Sequence, residues 1–325
     1  MPTSSKPKIS FCIPCYRSEK TIGGVISGIH QAMSEKAGEY DYEVVCAVDG
    51  SPDRVSAVLK NLAEQDSRIK VVELSRNFGQ GNARMASLHY ASGDYCICLD
   101  DDGQCPIENV WELFAPLREN ADVSIAAYPH KEQSFLKNCG SRLNSLMVRF
   151  LLDVPADFQM SNFYGFRAFI RDQILRYPNP YPYITGLLVK ATDSFAYVPM
   201  REHPRASGTT GYTFRKLVHH WLDGFTSFSV RPLRMASLLG GIFALLGFGL
   251  GVGAIIRKIF LSDIQSGYTS IFAAILFIGG IIMCLLGLVG EYVGRIFICI
   301  NRSPQYVVRS TVNIEKDEGA GKPGE

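Results

Sequence analysis

Two long segments without a charged residue, both in the last third of the chain, constrain this sequence more than any other feature. The first runs for 22 residues, from Met235 to Ile256, and the second from Tyr268 to Gly290. As helices that rise about 1.5 Å per residue, each would reach about 33 Å, enough for a hydrocarbon core of about 30 Å. The sequence therefore predicts two transmembrane helices, at 235–256 and 268–290. The alternative is a helical hairpin buried in the core of a soluble protein.

The basic residues around these segments predict their orientation. Basic side chains are frequent before the first segment and after the second, and only two lie in the connecting loop at 257–267. The outer ones are Arg215, Lys216, Arg231, Arg234, Arg295, Arg302 and Arg309, and those of the loop are Arg257 and Lys258. Because positive charge favours the cytosolic side, both ends are predicted in the cytosol and the loop outside.

The residues that flank the two segments have their own composition. Trp221, Phe225 and Phe228 alternate with basic residues just before the first segment, so 213–234 is predicted to form amphipathic helices at the membrane interface. A solvent-exposed connector is the alternative. Residues 291–325 are predicted to be a cytosolic C-terminal segment, disordered after about Ser310 because the tail is polar and rich in Gly.

Composition excludes some classes of function. The formal charge is only +2, and no long basic stripe with interleaved aromatic residues is present, so nucleic acid is not an expected partner. The nine cysteines are scattered and no second pair stands at zinc-ligand spacing, which favours free thiols in a reducing compartment. The first residues contain no apolar stretch, so a secretory signal is not expected.

The first half of the chain alternates strand and helix patterns. Short β-rich runs at 8–14, 42–48, 69–74, 94–99 and 122–128 are separated by segments with helical periodicity. This alternation predicts an α/β fold with a mostly parallel sheet that is covered on both faces. In such sheets ligands bind at the carboxyl ends of the strands, so the polar residues there are the candidates for function.

Three consecutive carboxylates, Asp100, Asp101 and Asp102, follow the fourth predicted strand, and Gln104 comes two residues later. Adjacent like charges repel one another and are costly to bury, so such a run needs either open water or a cation. A divalent cation such as Mg²⁺ would take few protein carboxylates and complete its shell with phosphate and water. A solvated acidic turn is the alternative, and the three carboxylates alone do not decide between the two.

Eight blocks occur in an order and spacing that resemble a known family. They are PCYRSEKTI, AVDGSPD, LSRNFGQGNARMASL, LDDDGQCP, GFRAF, HPRASGTTGY, FSVRPLR and GEYVGRIF followed after five residues by SPQYVVR. The chain is identified on these blocks, from about Ile9 to Arg309, as a member of the polyprenyl-phosphate glycosyltransferases of glycosyltransferase family 2. That group includes dolichyl-phosphate mannose synthase, bactoprenol glucosyltransferase and the undecaprenyl-phosphate formamido-arabinose transferase.

The resemblance implies a GT-A nucleotide-sugar-binding domain at 1–212 and a role for each matching residue. Asp100, Asp102 and Gln104 match the Asp-x-Asp-x-Gln motif, which holds Mg²⁺ or Mn²⁺ and the donor diphosphate, while Asp101 is expected to point elsewhere. Arg205 is expected to approach the same diphosphate. The residues expected around the nucleoside are Pro14, Tyr16, Glu19 and Asp49. Those expected to hold the lipid phosphate are Lys137 and Ser141.

The sequence departs from the family pattern at four positions. Asn162 stands near an aspartate that has been proposed as a base in several relatives, and Gln80 stands where a lysine is common. Val48 replaces one aspartate of a frequent pair, and Gly211 stands where a lysine often precedes Tyr212. These departures bear on the identity of the donor and on any general base, but they leave the metal motif complete.

The expected function is therefore an inverting, metal-dependent transfer of a sugar from a UDP- or GDP-sugar to undecaprenyl or dolichyl phosphate. The enzyme would lie in a membrane, the inner membrane in a bacterium, with its catalytic domain in the cytosol, and a homotetramer is known among relatives. Two alternatives stay open. One is a processive polysaccharide synthase, although the Gln-x-x-Arg-Trp motif and further spans are missing; the other is a non-catalytic membrane scaffold that keeps the nucleotide-sugar fold.

Overall fold

The computed structural model describes residues 6–128, 158–204, 268–301 and 303–314, together with the single positions 238, 240, 242, 249 and 256. The chain divides into two compact units, and the second is inserted into the first along the chain. The first unit comprises Met1–Tyr212 and Arg302–Glu325, and the second comprises Thr213–Asn301. The predicted interfacial segment 213–234, the loop 257–267 and most of the first predicted span lie outside the described residues.

The first unit contains eight strands, six α-helices and one short 3-10 helix at Ile107–Asn109 within the described residues. The strands are β1 (Lys8–Cys15), β2 (Asp41–Val48), β3 (Ile69–Leu74), β4 (Tyr95–Cys98), β5 (Val123–Ala127), β6 (Tyr164–Arg167), β7 (Phe195–Pro199) and β8 (Val308–Val312). The helices are α1 (Ile22–Ser34), α2 (Val55–Gln65), α3 (Gln80–His89), α4 (Val110–Glu119), α5 (Ala168–Leu175) and α6 (Ile184–Ala191). All five predicted strands are confirmed, whereas β6, β7 and β8 were not predicted.

The strands form one sheet in the order β7-β5-β6-β4-β1-β2-β3-β8. Strand β1 pairs in parallel with β2 and β4, and β2 pairs in parallel with β3. Strand β6 is antiparallel to both of its neighbours, β4 and β5, while β5 and β7 are parallel. The predicted α/β fold with a mostly parallel sheet is therefore confirmed, with antiparallel pairs where β6 and β8 join the sheet.

The central strands are buried on both faces, which explains why they read as continuous apolar runs. In β1 every residue after Lys8 is buried. Ile9, Phe11 and Ile13 pack into one core cluster with residues of α1, α2 and α4. Helix α3 contacts β1 and β2 as well, and its residues are not members of that cluster. This packing brings the carboxyl ends of β1, β2 and β4 to a common edge of the sheet.

The C-terminal strand β8 corrects one prediction. Disorder was expected after about Ser310, but Ser310 lies in β8, which pairs antiparallel with β3 at the edge of the sheet. The hydroxyl of Ser310 donates to Glu73 at 2.8 Å, and Arg309 donates to the carbonyl of Ser75 at 2.9 Å. Composition did not indicate a strand because a single edge strand can be short and polar on one side.

In the second unit, the described residues include one long helix, α7 (Tyr268–Ile300), of 33 residues. Large apolar side chains along it are exposed, among them Ile275, Met283, Leu286 and Phe297. The five single positions between 238 and 256 are also helical. Among the described residues, no helix is both long and apolar enough to cross a membrane. The two membrane spans remain predictions.

Glu43 is the centre of a buried polar network between β1, β2 and β3. Its carboxylate accepts hydrogen bonds from the Ser10 hydroxyl and the Ser92 backbone N–H, both at 2.6 Å, and it pairs with the ammonium groups of Lys8 and Lys70. Burial alone would raise the pKa of Glu43, but these donors outweigh burial and hold the pKa at about 2.

We expect Glu43 to stabilise the folded state in a pH-dependent way. Its folded pKa lies below the unfolded value of about 4.3, so the stabilisation is present above that value and is lost as the pH falls toward about 2. Replacing Glu43 by Gln should lower the free energy of unfolding by on the order of 2–3 kcal/mol at pH 7, and by much less at pH 2. Urea unfolding at several pH values measures this. The control is Glu73→Gln, whose pair with Lys60 is more exposed and should contribute less.

Asn313 connects the end of β8 to α2 and β3. Its backbone has a φ of 57°, and its side-chain amide donates to the carbonyls of Ala63 at 2.6 Å and Ile69 at 3.0 Å. We expect Asn313→Ala to lower the free energy of unfolding by about 2 kcal/mol, because both the donors and a residue that tolerates this conformation are lost. Asn313→Gly loses only the donors, so urea unfolding should show a smaller change. Equal effects would mean that the backbone conformation contributes nothing.

Candidate active site

The carboxyl ends of β1, β2 and β4 meet, as the parallel pairing requires, and the three predicted carboxylates lie there. The structure resolves their mutual repulsion by giving each one a different environment. The carboxylate of Asp100 accepts hydrogen bonds from side chains of α3 and from Asn162. That of Asp101 accepts one from the loop after β1, and that of Asp102 accepts one from the backbone that follows it. The run of acidic residues is therefore neither a freely solvated turn nor a single cluster.

Asp100 is held by three side-chain donors. Its Oδ1 accepts from Arg84 Nη2 at 2.7 Å and from Gln80 Nε2 at 2.9 Å, and its Oδ2 accepts from Asn162 Nδ2 at 2.6 Å. Arg84 is itself buried and also donates to the hydroxyl of Tyr164 at 3.3 Å. Burial raises the pKa of Asp100, and the guanidinium of Arg84 opposes that rise. Asp100 therefore forms a buried ion pair.

Asp101 connects the end of β4 to the loop that follows β1. Its Oδ2 accepts the backbone N–H of Tyr16 at 2.9 Å, and its backbone carbonyl accepts the hydroxyl of Thr21 at 2.6 Å. Burial raises the pKa of Asp101 to about 6. The side chain is thus directed at the protein, in line with the expectation that the middle residue of the motif points elsewhere.

Asp102 and Gln104 lie together in a tight turn. Asp102 Oδ1 accepts the backbone N–H of Gln104 at 3.1 Å across Gly103, whose φ is 76°. Gln104 also pairs with His203, because its carbonyl accepts the His203 N–H at 2.9 Å and its side chain donates to the His203 carbonyl at 3.4 Å. A cavity of about 400 Å³, lined by Gly103 and His203 among others, runs along α1 beside this turn.

These two residues fit a divalent cation of the hard type. Mg²⁺ and Mn²⁺ accept carboxylate and amide oxygens and take their other ligands from phosphate and water, so one carboxylate and one amide can suffice. Within the described ranges, no group of three or more His, Cys, Asp or Glu side chains is arranged to hold a metal ion. A metal held by Asp102 and Gln104 would therefore depend on ligands from a bound diphosphate.

The four residues expected around the nucleoside lie at the same edge of the sheet but differ in access. Pro14 is buried in β1, whereas Tyr16 is 42% exposed. Glu19 accepts the backbone N–H of Arg54 at 3.0 Å, so it caps the start of α2. Asp49 is buried, and burial raises its pKa.

Asp49 holds the loop that leads into α3. Its two oxygens accept the backbone N–H groups of Phe78 at 2.6 Å and Gly79 at 2.9 Å. The next residue, Gly50, has a φ of 55°, and a Cβ there would lie 2.3 Å from the backbone of Arg76. Only glycine can occupy this position, because a side chain would displace the loop.

Three predicted residues lie outside the described part of the chain, namely Lys137, Ser141 and Arg205. In contrast, the structure adds Arg84 to the site, which sequence reasoning missed. The available signal was an arginine four residues after Gln80 in the same helix, a spacing that places both side chains on one face. Gln80 and Asn162, noted only as departures from a family pattern, are brought together on opposite oxygens of Asp100.

Comparison with known proteins agrees with the motifs. Residues 10–177 match the model of the family "Glycosyl transferase family 2", and residues 231–296 match that of the "GtrB C-terminal hairpin". The Bacillus subtilis protein CsbB is 31% identical over 95% of this chain and 93% of its own. The undecaprenyl-phosphate 4-deoxy-4-formamido-L-arabinose transferase of Enterobacter sp. (strain 638) is 29% identical over 94% of both chains.

The prophage bactoprenol glucosyl transferase homolog of Escherichia coli K12 is 29% identical over 93% of this chain and 98% of its own. Among solved structures, mannosyl-3-phosphoglycerate synthase from Rubrobacter xylanophilus aligns with a TM-score of 0.49 at 16% identity, over 70% of this chain and 75% of that one. The family model covers more than half of the chain, and the resemblance read from the sequence blocks is confirmed. The chain belongs to glycosyltransferase family 2.

Proposed function

We propose that this protein transfers a sugar from a nucleotide sugar to a polyprenyl phosphate, with inversion at the anomeric carbon and with the help of a divalent cation. The observation that carries the proposal is that the three carboxylates have different hydrogen-bond partners, with Asp102 placed beside Gln104 at the lip of the sheet. The relatives named for transfer to undecaprenyl phosphate and for bactoprenol glucosyl transfer support the choice of acceptor.

A bound divalent cation would neutralise the charge that builds on the diphosphate as the bond to the anomeric carbon breaks. Asp102 and Gln104, with Asp100 as the third residue of the motif, would hold it, and Arg205 would add a positive charge on the same leaving group. The exposed ring of Tyr16, with Pro14, Glu19 and Asp49, would surround the nucleoside of the donor. Asp49 would act there through the loop it holds, since both of its oxygens accept backbone N–H groups.

The acceptor explains why no general base is required. A polyprenyl phosphate is a phosphomonoester whose second pKa is about 6, so near pH 7 it is largely dianionic and already nucleophilic. Attack from the face opposite the leaving group inverts the anomeric configuration. Asn162, which cannot accept a proton as a carboxylate does, is compatible with this chemistry, because its amide donates to Asp100.

The acceptor also explains the second unit. The isoprene chain of the acceptor stays in a bilayer, and only its phosphate reaches the interface with water. The active site of the enzyme therefore has to be held at this interface. The exposed apolar side chains of α7 would be stabilised by lipid, and the match of residues 231–296 to a hairpin family supports a pair of membrane helices. We therefore keep 235–256 and 268–290 as spans, with 213–234 at the interface and the first unit in the cytosol.

Asp102→Asn should abolish transfer, with a loss of at least about 100-fold in rate, because a neutral amide holds a divalent cation far more weakly. The measurement is a thin-layer assay of membranes with polyprenyl phosphate and radiolabelled UDP-glucose, UDP-N-acetylglucosamine or GDP-mannose. Chelation of divalent cations should have the same effect on the wild type. Asp172→Asn, which changes an exposed carboxylate paired with Arg171, is the control and should keep full activity. Near wild-type transfer by Asp102→Asn would reject the metal site.

Lys137→Ala should raise the Michaelis constant for polyprenyl phosphate more than that for the nucleotide sugar, because the proposed partner of Lys137 is the lipid phosphate. Steady-state kinetics in detergent micelles, with each substrate varied in turn, separate the two constants. Ser141→Ala should change them in the same direction by a smaller factor, since a hydroxyl contributes less than a charge. An effect on the nucleotide sugar alone would exclude this role.

A further inference from the structure

Gln80 and Asn162 each donate a side-chain hydrogen bond to Asp100, and their amides have no role in the proposed transfer so far. Gln80 and Asn162 are both exposed, whereas Asp100 and Arg84 beneath them are largely buried, with 16% and 8% of their side chains exposed. The two amides therefore lie on the solvent side of the ion pair. Both amides contact Asp100 directly, one on each carboxylate oxygen.

The carboxylate of Asp100 has more acceptor positions than the three donors occupy. An ionised carboxylate offers about four lone-pair positions, two on each oxygen. Arg84 and Gln80 occupy both positions on Oδ1, and Asn162 occupies one on Oδ2. Among the contacts of the described residues, one position on Oδ2 remains, next to Asn162. The amide of Asn162 thus sets the direction from which Asp100 can make its last contact.

The charges of Arg84 and Asp100 favour neutral amides at positions 80 and 162. Arg84 and Asp100 balance one another, and Asp102 adds a further negative charge nearby, so neutral donors complete the pair without adding more negative charge. The short 2.6 Å contact requires a donor at position 162, because Asp100 can only accept. A carboxylate there would bring two like charges within hydrogen-bond distance, which disfavours the ionised pair.

We propose that Asn162 and Gln80 are positioning residues that hold Asp100 with its one open position on Oδ2, and that position 162 can carry a carboxylate only when position 80 carries a cation. A lysine at position 80 would restore the balance, because two cations would then face two carboxylates. This positioning role extends the proposed function, and its test by transfer rate rests on that function. The contacts of Asn162 and Gln80 with Asp100 can also be tested by protein stability, without any transfer activity.

The experiment is a double-mutant cycle on the purified full-length protein with Asn162→Asp, Gln80→Lys and the double variant. The first readout is the thermal unfolding midpoint in EDTA, without donor or acceptor. We expect Asn162→Asp to lower the midpoint by about 2–4 °C, Gln80→Lys to change it by less than about 1 °C, and the double variant to return within about 1 °C of the wild type.

The second readout is transfer from whichever of the three labelled nucleotide sugars the wild type uses. Asn162→Asp should lower kcat/KM for the donor about tenfold and leave KM for the lipid unchanged, and the double variant should recover to within about threefold. Asn162→Ala, which removes the donor without adding charge, should lose less than Asn162→Asp.

A matched control is available on α2, where Gln65 donates to Asn61 at 2.9 Å in an exposed amide pair. Asn61→Asp and Gln65→Lys make the same chemical changes without a carboxylate partner, and both readouts should stay at the wild-type value. The proposal is overturned if the double variant is as impaired as Asn162→Asp, or if Asn162→Asp behaves like Asn61→Asp. A restored midpoint without a restored rate would make the contact structural only. Absence of transfer by the wild type would count against the proposed function, and the midpoints would still decide the contact.

Discussion

The buried ion pair between Arg84 and Asp100 is the interaction on which the geometry of this site depends. Both charges are largely shielded from water, with 8% and 16% of the side chains exposed, and removing one partner from a buried pair typically costs about 3–5 kcal/mol because the other is left uncompensated. Arg84 belongs to α3 and Asp100 follows β4, so the pair fixes the helix to the end of the strand. A second buried carboxylate, Asp49, accepts the backbone N–H groups of Phe78 and Gly79 just before the same helix. The start of α3 is therefore held from β2 and from β4.

This arrangement accounts for three adjacent carboxylates without assuming a cation for each. Arg84 balances Asp100, and burial raises the pKa of Asp101, whose oxygen accepts a backbone N–H. Asp102 accepts the N–H of Gln104, in a turn that also pairs with His203. Because Arg84 balances Asp100, the net negative charge at the lip of the sheet is smaller than three carboxylates alone would give. A cation bound there would draw its affinity from the diphosphate as well as from the protein, which links metal binding to donor binding.

The fold could be predicted from sequence where burial on both faces makes a strand a continuous apolar run. This holds for β1, β2, β4 and β5, whereas β3 is interrupted by Lys70 and Glu73; each of the five lies within about a residue of the expected bounds. It fails for β6, where Gly165 and Arg167 interrupt the apolar residues, for β7, which is only partly buried, and for the edge strand β8, where three polar residues lie between two valines. The motif residues could be named from family resemblance, but their partners could not. Nothing in the spacing of Arg84 and Asn162, 78 residues apart, indicates that both contact Asp100.

The order of the two units along the chain places β8 after the inserted second unit. Residues 213–301 leave the first unit after Tyr212, and the chain rejoins it at Arg302 and adds β8 to the sheet. The inserted unit is therefore attached at both ends, and its second attachment is secured by the pairing of β8 with β3 and by the amide of Asn313. Because the entropic cost of closing a long loop grows only slowly with its length, the sheet of the first unit can include β8 although the whole of 213–301 lies between Tyr212 and this strand.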